Sequence, residues 1–366
     1  MKPVILYCIT NLDLGGAQQH LVQLVAAFAS RFETVVAYGS PGPALARLEA
    51  LGARTVRIAE MARRISLLDD LRALIGIRRL IVQLRPAIVH LHSAKAGALG
   101  RIAAVGLGVP VVYTVHGWGF KKGVPAARRA IAWLAENALA RAAREIVCVC
   151  ESEARLARRA LFVKPRALRV IRNGLPDPPC VAASATRPGP VRAAMVARFQ
   201  EPKRHDLAVR AMARISAPVE LLLVGEGPNR VAVEALAGEL GLDGKVRFLG
   251  ERDDVSTLLG GCDFFLLVSD HEAMPISVLE ALRAGIPVAA SSVGGIPELI
   301  DDGVNGILIR DPSIESIARA ISRLACDPTE RARLGRQARQ RFLERHTEDS
   351  MLREIDGVYR GLLAPA

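Results

Sequence analysis

The sequence is poor in several residue types that mark particular classes of protein. Only 4% of its 366 residues are aromatic, and only seven of its 49 basic residues are lysine. No run of five or six like charges occurs, and aromatic residues do not alternate with the arginines, so a disordered nucleic-acid-binding tail is not supported. The six cysteines form no C-x-x-C pair and no cluster with histidine. We therefore expect reduced thiols rather than disulfides or metal ligands.

Common cofactor motifs and membrane signals are also missing. The sequence contains neither G-x-G-x-x-G nor G-x-x-x-x-G-K-[ST], which argues against an ordinary dinucleotide enzyme or a P-loop NTPase. The longest uncharged apolar stretch, residues 102–115, is too short to cross a bilayer. The apolar run at residues 4–9 is too short for a signal peptide and lacks a cleavage site, so it predicts the first strand.

Positive charge is abundant, but it is confined to one half of the chain. The formal net charge is +12, and residues 1–180 hold 26 Lys and Arg against 11 Asp and Glu, whereas the remainder is slightly acidic. An excess of basic residues in one half of a chain is typical of proteins that bind nucleic acid, an anionic membrane or a phosphorylated substrate through that half. It is equally compatible with a solvated, arginine-rich surface that has no partner.

Short apolar segments bounded by Gly, Pro or Asn alternate with segments of helical period, which is typical of parallel α/β sheets. Strands are predicted at residues 4–10, 33–39, 53–58, 87–92, 110–116 and 145–150, and in a second series at 191–197, 219–224, 245–249, 263–268, 287–291 and 305–309. The pattern predicts two doubly wound, Rossmann-like domains, residues 1–175 and 191–345, facing a central cleft. A proline-rich linker is predicted at 176–190, and a C-terminal helix at 346–366 that packs back toward the first domain.

Ligands of doubly wound sheets bind beyond the carboxyl ends of the strands, so polar residues at these ends are candidates for function. Gly16 opens a helix after the first strand, where adjacent glycines favour an anion. His116 follows the fifth strand, and Trp118 offers a ring for stacking on a sugar or a lipid. Arg198 and Lys203 follow the first strand of the second series and can converge on a diphosphate. Each has a structural alternative: a tight turn, a buried histidine, a packed loop or a solvated charge.

The strongest signal lies within residues 269–288. Glu272 is placed in the loop after a strand, and Glu280 lies within the helix that follows. The two carboxylates can therefore accept hydrogen bonds from different parts of an elongated polyhydroxylated ligand. The backbone amides of Ile276 and Ser277 would open that helix toward an anion.

Together these segments resemble the GT-B glycosyltransferases, specifically the large retaining family 4, over nearly the whole chain. The matching segments are residues 14–18, 113–120, 198–203, 223–228, 272–280, 285–288 and 293–298. Residues 92–97 and 113–120 look most like the capsule and exopolysaccharide branch. The resemblance implies a hexosyltransferase or N-acetylhexosaminyltransferase that moves a sugar from a nucleotide sugar, preferably a UDP-sugar. Its acceptor would be polyprenyl-diphosphate-linked or a growing cell-surface polysaccharide.

The resemblance also implies roles for single residues. Glu280 would bond the ribose hydroxyls and Glu272 the hydroxyls of the donor sugar. Arg198 and Lys203 would neutralise the diphosphate as it departs, which stabilises the charge that develops on the leaving group. His116 would contact the transferred sugar near its anomeric centre.

The remaining donor-binding positions come from the same matches. Gly16 would lend a backbone amide to the diphosphate, and Gly225, Ile276, Ser277 and Val278 are assigned to donor binding. Retention in this family implies attack on the face that the leaving group vacates, so no covalent catalyst is assigned. No D-x-D motif occurs, and neither a metal ion nor another cofactor is expected.

A polyprenyl-linked acceptor lies in a membrane, so the basic first domain is expected to bind the inner face of the cell membrane peripherally, from the cytoplasm. The acceptor or membrane candidates are Lys95, Trp118, Lys121 and Lys122. Further basic candidates for the membrane are Arg63, Arg64, Arg72, Arg78, Arg79, Arg128 and Arg129. A nucleic-acid partner is not expected.

One residue departs from the family pattern, and three alternatives stay open. The residue after the first glutamate is commonly glycine in this family, whereas this chain has Ala273, which is costly if the position needs a positive φ. The alternatives are a nucleotide-sugar epimerase of the GT-B fold, a phosphorylase of that fold, and a non-catalytic sugar-nucleotide-binding protein.

Overall fold

The computed structural model describes residues 2–62, 66–121, 123–177 and 189–364. The chain forms two compact units: unit 1 comprises Met1–Asn173 and Asp349–Ala366, and unit 2 comprises Gly174–Glu348. Most of the predicted linker, together with Arg63, Arg64 and Lys122, lies outside the described residues.

Strands and helices alternate along both units. The strands are β1 Val4–Asn11, β2 Glu33–Ser40, β3 Arg54–Arg57, β4 Ile88–His92, β5 Val111–Val115, β6 Glu145–Cys148, β7 Leu168–Val170, β8 Val191–Val196, β9 Val219–Val224, β10 Val246–Phe248, β11 Phe264–Leu267, β12 Val288–Ser291 and β13 Gly306–Ile309. The helices are α1 Gly16–Phe28, α2 Ala44–Ala50, α3 Leu67–Leu84, α4 Ala94–Ala104, α5 Ala126–Leu139, α6 Glu151–Ala160, α7 His205–Met212, α8 Arg230–Glu239, α9 Val255–Gly260, α10 Ile276–Ala284, α11 Ile296–Leu299, α12 Ile314–Cys326, α13 Pro328–Arg345 and α14 Glu348–Leu363.

Unit 1 is built on a seven-stranded sheet in the order β3-β2-β1-β4-β5-β6-β7. Its pairs are parallel, and β1 neighbours β4 with Ile5 opposite Ile88. One face of the sheet packs against α3, α4 and α6, and the other packs against α1, α2 and α14. The chain order reverses between β1 and β4, which is where ligands bind in doubly wound sheets.

Unit 2 is built on a six-stranded sheet in the order β10-β9-β8-β11-β12-β13. These pairs are parallel as well, and β8 neighbours β11 with Ala193 opposite Phe264. The strands β9, β11 and β12 are buried throughout. Such burial on both faces explains why they read as continuous apolar runs in the sequence. The order of the strands along the chain reverses between β8 and β11, so this is the expected ligand-binding edge of unit 2.

The C-terminal helix α14 belongs to unit 1 rather than unit 2. Its side chains Met351, Ile355, Val358 and Tyr359 are buried and lie in the same core cluster as Ile5 of β1. Their spacing places them on one face of the helix. Unit 1 is therefore assembled from both ends of the chain.

The two Rossmann-like α/β units confirm the predicted fold class, and all twelve predicted strands are present. The structure adds β7, whose three residues alternate between half-buried and exposed around Arg169. An edge strand this short carries too weak a pattern to be predicted. No disulfide joins the described cysteines. Within the described ranges, none of the helices combines the length and apolar character that crossing a bilayer requires.

Candidate active site

In unit 2, the loops after the neighbouring strands β8 and β11 are bound to each other. Lys203 and Ser269 pair in an isolated antiparallel bridge. The amide of Asp270 donates to the carbonyl of Pro202 at 2.9 Å, and the amide of Arg204 donates to the carbonyl of Val268 at 2.9 Å. These bonds set the position of the Lys203 backbone relative to the end of β11.

Glu272 is the convergence point of these loops. Its side chain accepts an ion-paired hydrogen bond from Lys203 Nζ, and Ser269 Oγ donates to the same oxygen, Oε1, at 2.6 Å. Glu272 is 8% exposed. Among the described residues no hydrogen bond reaches Oε2, so this oxygen is available to a ligand hydroxyl. The structure thus joins two predicted residues and adds Ser269, which the sequence reasoning missed although it directly follows a strand.

The backbone of Glu272 is held by a glycine pair. Gly294 has a φ of +56°, and a Cβ atom there would lie 1.6 Å from the Glu272 carbonyl oxygen. The amide of Gly295 donates to that same oxygen at 3.3 Å. Only glycine permits this approach, because a side chain would collide with backbone rather than with a flexible group. Ala273 is not at a positive φ, since Arg85 and Ser93 are the non-glycine residues with positive φ in the described ranges. The alanine therefore brings no backbone strain.

The helix α10 starts immediately after this loop. Its N-cap is Pro275, which supplies no side-chain hydrogen bond. The amide of Val278 donates to the Pro275 carbonyl at 3.2 Å, whereas the amides of Ile276 and Ser277 have no partner among the described residues. Unpaired first-turn amides and the helix dipole together favour an anion at this end.

Glu280 lies in the second turn of α10. Burial raises the pKa of its carboxyl group to about 7, and the nearby Arg283 opposes the shift. Arg283 is itself held by the carbonyl of Pro176 at 3.0 Å and by Ser256. The carboxyl group is thus poised to change its protonation state near neutral pH.

Arg198 and Gly225 lie on loops after β8 and β9. Arg198 is half-buried two residues beyond the end of β8. Gly225 has a φ of +133°, and a Cβ atom there would lie 2.2 Å from the carbonyl oxygen of Ala197. Its amide donates to the Gly250 carbonyl at 2.7 Å. The close approach of two loops explains this glycine by itself, and its role in donor binding stays a prediction.

In unit 1, Gly16 begins α1, which has no side-chain cap. The preceding loop is braced by Gln18, whose Nε2 donates to Asn11 Oδ1 at 2.6 Å, and by Asn11 Nδ2, which donates to Asp13 at 2.6 Å. The first amides of α1 therefore stand on a fixed loop next to the β1–β4 reversal, where an anion is favoured.

His116 follows β5 and belongs to a cluster of four histidine rings, His20, His90, His92 and His116, which we call the histidine cluster. His116 Nε2 lies 3.2 Å from His92 Nδ1, and its ring centroid lies 5.3 Å from that of His20. His116 is half-buried, whereas the other three rings are buried. Of the four, sequence reasoning singled out only His116. The alternation of His90 and His92 along one face of β4 is the signal that was available.

Burial holds the whole cluster in the neutral form. It lowers the pKa of His20 to about 4, with the Asn173 side chain opposing the shift. It lowers the pKa values of His90, His92 and His116 well below the ordinary range, and their mutual repulsion adds to the effect. Protonating one ring would place a positive charge beside its neighbours and make their protonation less favourable.

The predicted acceptor residues have structural partners. Trp118 is only 1% exposed, stacks on Phe120 at 5.1 Å, and donates its backbone and indole N–H groups to Glu153. It packs the loop against the core, so its ring is not presented to a ligand. Lys95 is ion-paired with Asp70 at 2.6 Å. Lys121 is half-buried, and Lys122 lies outside the described residues.

Within the described ranges, no group of three or more His, Cys, Asp or Glu side chains is arranged to hold a metal ion. That the site needs no metal stays a prediction. That Arg198 and Lys203 neutralise a diphosphate likewise stays a prediction.

Two Rossmann-like units in one chain are compatible with the GT-B architecture. The structure is similar to two solved GT-B structures. One is Anabaena HepE in complex with UDP-glucose, with a TM-score of 0.85, 20% identity and coverage of 98% of this chain and 100% of that chain. The other is sucrose-phosphate synthase from Thermosynechococcus elongatus, with a TM-score of 0.87, 21% identity and full coverage of both chains.

Sequence comparisons agree with the fold. Residues 15–174 match the model of the glycosyl transferase 4-like domain, and residues 182–341 match glycosyl transferases group 1. A D-inositol 3-phosphate glycosyltransferase from Saccharomonospora viridis is 31% identical over 75% of this chain and 71% of that protein. The Escherichia coli UDP-Gal:alpha-D-GlcNAc-diphosphoundecaprenol alpha-1,3-galactosyltransferase is 29% identical over 75% of each. The chain belongs to the group 1 glycosyltransferases of the GT-B fold.

Proposed function

We propose that this glycosyltransferase moves a sugar, with retention of configuration, from a UDP-sugar to a polyprenyl-diphosphate-linked acceptor in the synthesis of a cell-surface polysaccharide. The observation that carries the proposal is the convergence of Lys203, Ser269 and Glu272 beside the uncapped start of α10. These groups match the parts of a nucleotide sugar: an anion, a sugar ring and a ribose.

Each group has a defined chemical task in this mechanism. The amides of Ile276 and Ser277 and the side chains of Arg198 and Lys203 bind the diphosphate and stabilise its charge as the glycosidic bond breaks. Oε2 of Glu272 accepts a hydrogen bond from the donor sugar, because Oε1 is already occupied by Lys203 and Ser269. The ionised carboxylate of Glu280 accepts hydrogen bonds from the ribose hydroxyls.

The proposed identities of the donor and the acceptor are inferred from relatives. Anabaena HepE is known in complex with UDP-glucose. The E. coli relative is described as transferring galactose from UDP-Gal to a GlcNAc-diphosphoundecaprenol acceptor. Both point to a UDP-sugar, and the second points to a lipid-linked acceptor. Glucose and galactose in these two relatives favour a hexosyl donor over the N-acetylhexosaminyl alternative.

A lipid-linked acceptor requires access to a membrane, and two helices of unit 1 expose large apolar side chains. On α3, Leu67, Leu68 and Leu71 are 88%, 69% and 55% exposed. On α5, Ile131 and Leu134 are 64% and 60% exposed. The basic side chains exposed on the same helices are Arg72, Arg78, Arg79, Arg128 and Arg129. Apolar and basic residues on surface helices are typical of helices that lie on an anionic membrane. We assign peripheral attachment at the inner membrane face to these two helices.

The test combines purified full-length protein with a panel of UDP- and GDP-sugars and a short-chain polyprenyl-diphosphate-GlcNAc acceptor. The proposal predicts a new glycolipid only with a UDP-sugar, with the anomeric configuration of the donor as read by NMR coupling constants. Conversion of the donor to an epimer without acceptor would favour the epimerase alternative. Sugar-1-phosphate formation from a glycan and phosphate would favour the phosphorylase. Binding of donor with no turnover under any acceptor would favour the non-catalytic alternative.

A further inference from the structure

The hydrogen bond between His92 and His116 fixes more than the ring positions. Nδ1 of His92 and Nε2 of His116 lie 3.2 Å apart, and the ring planes are 29° from parallel with centroids 5.5 Å apart. In a neutral imidazole one nitrogen donates and the other accepts. One of these two nitrogens must therefore carry the shared proton, and that choice sets the tautomer of both rings.

The second nitrogen of His92 decides which of the two rings donates this hydrogen bond. Nε2 of His92 is buried and has no hydrogen-bond partner in the part of the chain that the structure describes. A proton on Nε2 would be a buried donor without an acceptor, which folded proteins avoid more strictly than a bare acceptor. The proton of His92 therefore lies on Nδ1 and is donated to Nε2 of His116.

The surroundings of His92 exclude a second proton on its ring. The titratable groups that face it are His20 from α1 at 5.6 Å, His90 from β4 at 4.4 Å and Tyr7 from β1 at 6.2 Å, measured between ring centroids. His116 completes the ring of neighbours from the loop after β5. None of these groups carries a negative charge that would favour an imidazolium.

We propose that His92 is a positioning residue that holds His116 in the neutral form with its proton on Nδ1. Nε2 of His116 is occupied, so the Nδ1–H group is what the half-buried ring offers to a ligand. Resting on the proposed function, this inference makes His116 a hydrogen-bond donor to an oxygen of the transferred sugar and not a proton acceptor at Nε2.

The direct test is NMR of full-length protein carrying ¹⁵N-labelled histidine at pH 7.5, without substrate. Long-range ¹H–¹⁵N correlations show which ring nitrogen is protonated, and loss of one signal set in His116→Gln assigns His116. The expected result is a proton on Nδ1 of His116 in the wild type and in His92→Asn, whose amide supplies a donor near the original Nδ1. His92→Asp replaces the donor by an acceptor, and Nε2 of His116 should then be protonated.

Kinetics give the second readout. His92→Phe removes the hydrogen bond that orients the His116 ring and should lower kcat by about tenfold to a hundredfold, the cost of one lost buried hydrogen bond. His92→Asn should stay within a few-fold of wild type. His346→Asn, which changes a buried histidine of unit 2, is the control that should leave the His116 resonances unchanged.

Two outcomes overturn the inference: a wild-type His116 protonated at Nε2, or a folded His92→Asp variant in which Nε2 of His116 stays unprotonated. Circular dichroism confirms that each variant folds, and His92→Asn provides the readout if His92→Asp does not fold. Because the NMR experiment contains no substrate, it supports or overturns the inference even if the protein transfers no sugar. Failure of the proposed function shows separately, as absence of transfer by the wild type.

Discussion

Lys203 and Glu272 are joined by an ion pair across two loops that follow neighbouring strands of unit 2. Lys203 comes after β8 and Glu272 after β11, so the reversal of strand order brings together side chains that are far apart in the sequence. The pair is largely buried, with 18% and 10% of the two side chains exposed. The ion pair keeps a cation and a carboxylate beside the uncapped end of α10 before any ligand binds.

Replacing Glu272 by glutamine should reduce sugar transfer strongly. Glu272→Gln keeps the size of the side chain but removes the charge that pairs with Lys203 and weakens the acceptor offered to the donor sugar. We expect kcat/KM to fall by about a hundredfold or more, as for other groups fixed at a site of developing charge. Glu251→Gln, at an exposed position of unit 2, is the matched control and should leave kcat/KM unchanged.

Donor binding should weaken on acidification because of Glu280. Its pKa of about 7 means that the carboxylate becomes protonated as the pH falls below 7, and a protonated carboxyl group loses acceptor capacity for ribose hydroxyls. The Kd of a UDP-sugar should rise by up to about tenfold per pH unit below 7, as measured by calorimetry. Glu280→Gln should bind more weakly at pH 8 and show a flat profile. An unchanged slope in that variant would remove Glu280 from the ribose site.

Gly294 should tolerate alanine much less than Gly303 does. Both have positive φ, +56° and +75°, but a Cβ atom at 303 meets nothing within 4 Å, whereas at 294 it collides with the Glu272 backbone. Gly303→Ala should cost about 1–2 kcal/mol for the left-handed backbone alone. Gly294→Ala should cost more and should also depress transfer, because Glu272 must move. Urea unfolding followed by circular dichroism, with activity assays, distinguishes the two variants. Equal losses of stability and activity would contradict the close contact between Gly294 and the Glu272 backbone.

Unit 1 should lose stability as the pH falls below about 6.5. The histidines of the cluster have folded-state pKa values below that of an unfolded chain, with His20 at about 4. Below pH 6.5 the unfolded chain therefore binds protons that the folded chain does not, and the free energy of unfolding decreases. The slope is at most about 1.4 kcal/mol per pH unit for each histidine.

Tryptophan fluorescence isolates this effect, because both tryptophans of the chain, Trp118 and Trp133, lie in unit 1. Urea titrations at pH 7.5, 6.0 and 5.0 should show falling stability, and His20→Asn should reduce the slope. A slope that is the same in the variant and the wild type would mean that His20 is not held neutral.

The exposed apolar side chains of α5 should contribute to membrane binding. Ile131→Glu with Leu134→Glu places two anions on this surface and should reduce flotation with phosphatidylglycerol vesicles. Val231→Glu, at a 76% exposed position on α8 of unit 2, is the control. High salt should weaken the electrostatic part of binding. If wild-type protein does not float with anionic vesicles at low salt, unit 1 does not bind the membrane and its basic residues form a solvated surface without a partner.

The sequence predicts the architecture well because parallel strands buried on both faces, such as β9 and β11, leave continuous apolar runs between helical segments. It also predicts that Lys203 and Glu272 follow strands. It does not predict their ion pair or the contribution of Ser269, because these depend on the order of strands in the sheet. Nor does it predict the close approach of Gly294 to the Glu272 carbonyl, because this is a contact between two loops that hydrophobic periodicity does not encode.

Three residues of unit 1 could be interpreted only from their contacts in the folded structure. Trp118 stands in a loop beside a candidate histidine, where an aromatic ring suits either ligand stacking or packing, and only its contacts with Glu153 and Phe120 decide for packing. His20 follows two glutamines at the start of α1, and His92 ends β4 two residues after His90, so neither position alone predicts a contact with His116. Their partners come from α1, β4 and the loop after β5, so the cluster exists only in the folded unit.

The most direct test of the account is the rate of sugar transfer by Lys203→Ala compared with Lys245→Ala, under saturating UDP-sugar and lipid-linked acceptor. Lys245 is an exposed lysine of unit 2 and serves as the control. The account predicts that Lys203→Ala loses about a hundredfold or more of kcat while remaining folded, and that Lys245→Ala transfers like the wild type. Full activity in folded Lys203→Ala would contradict the assignment of the active site.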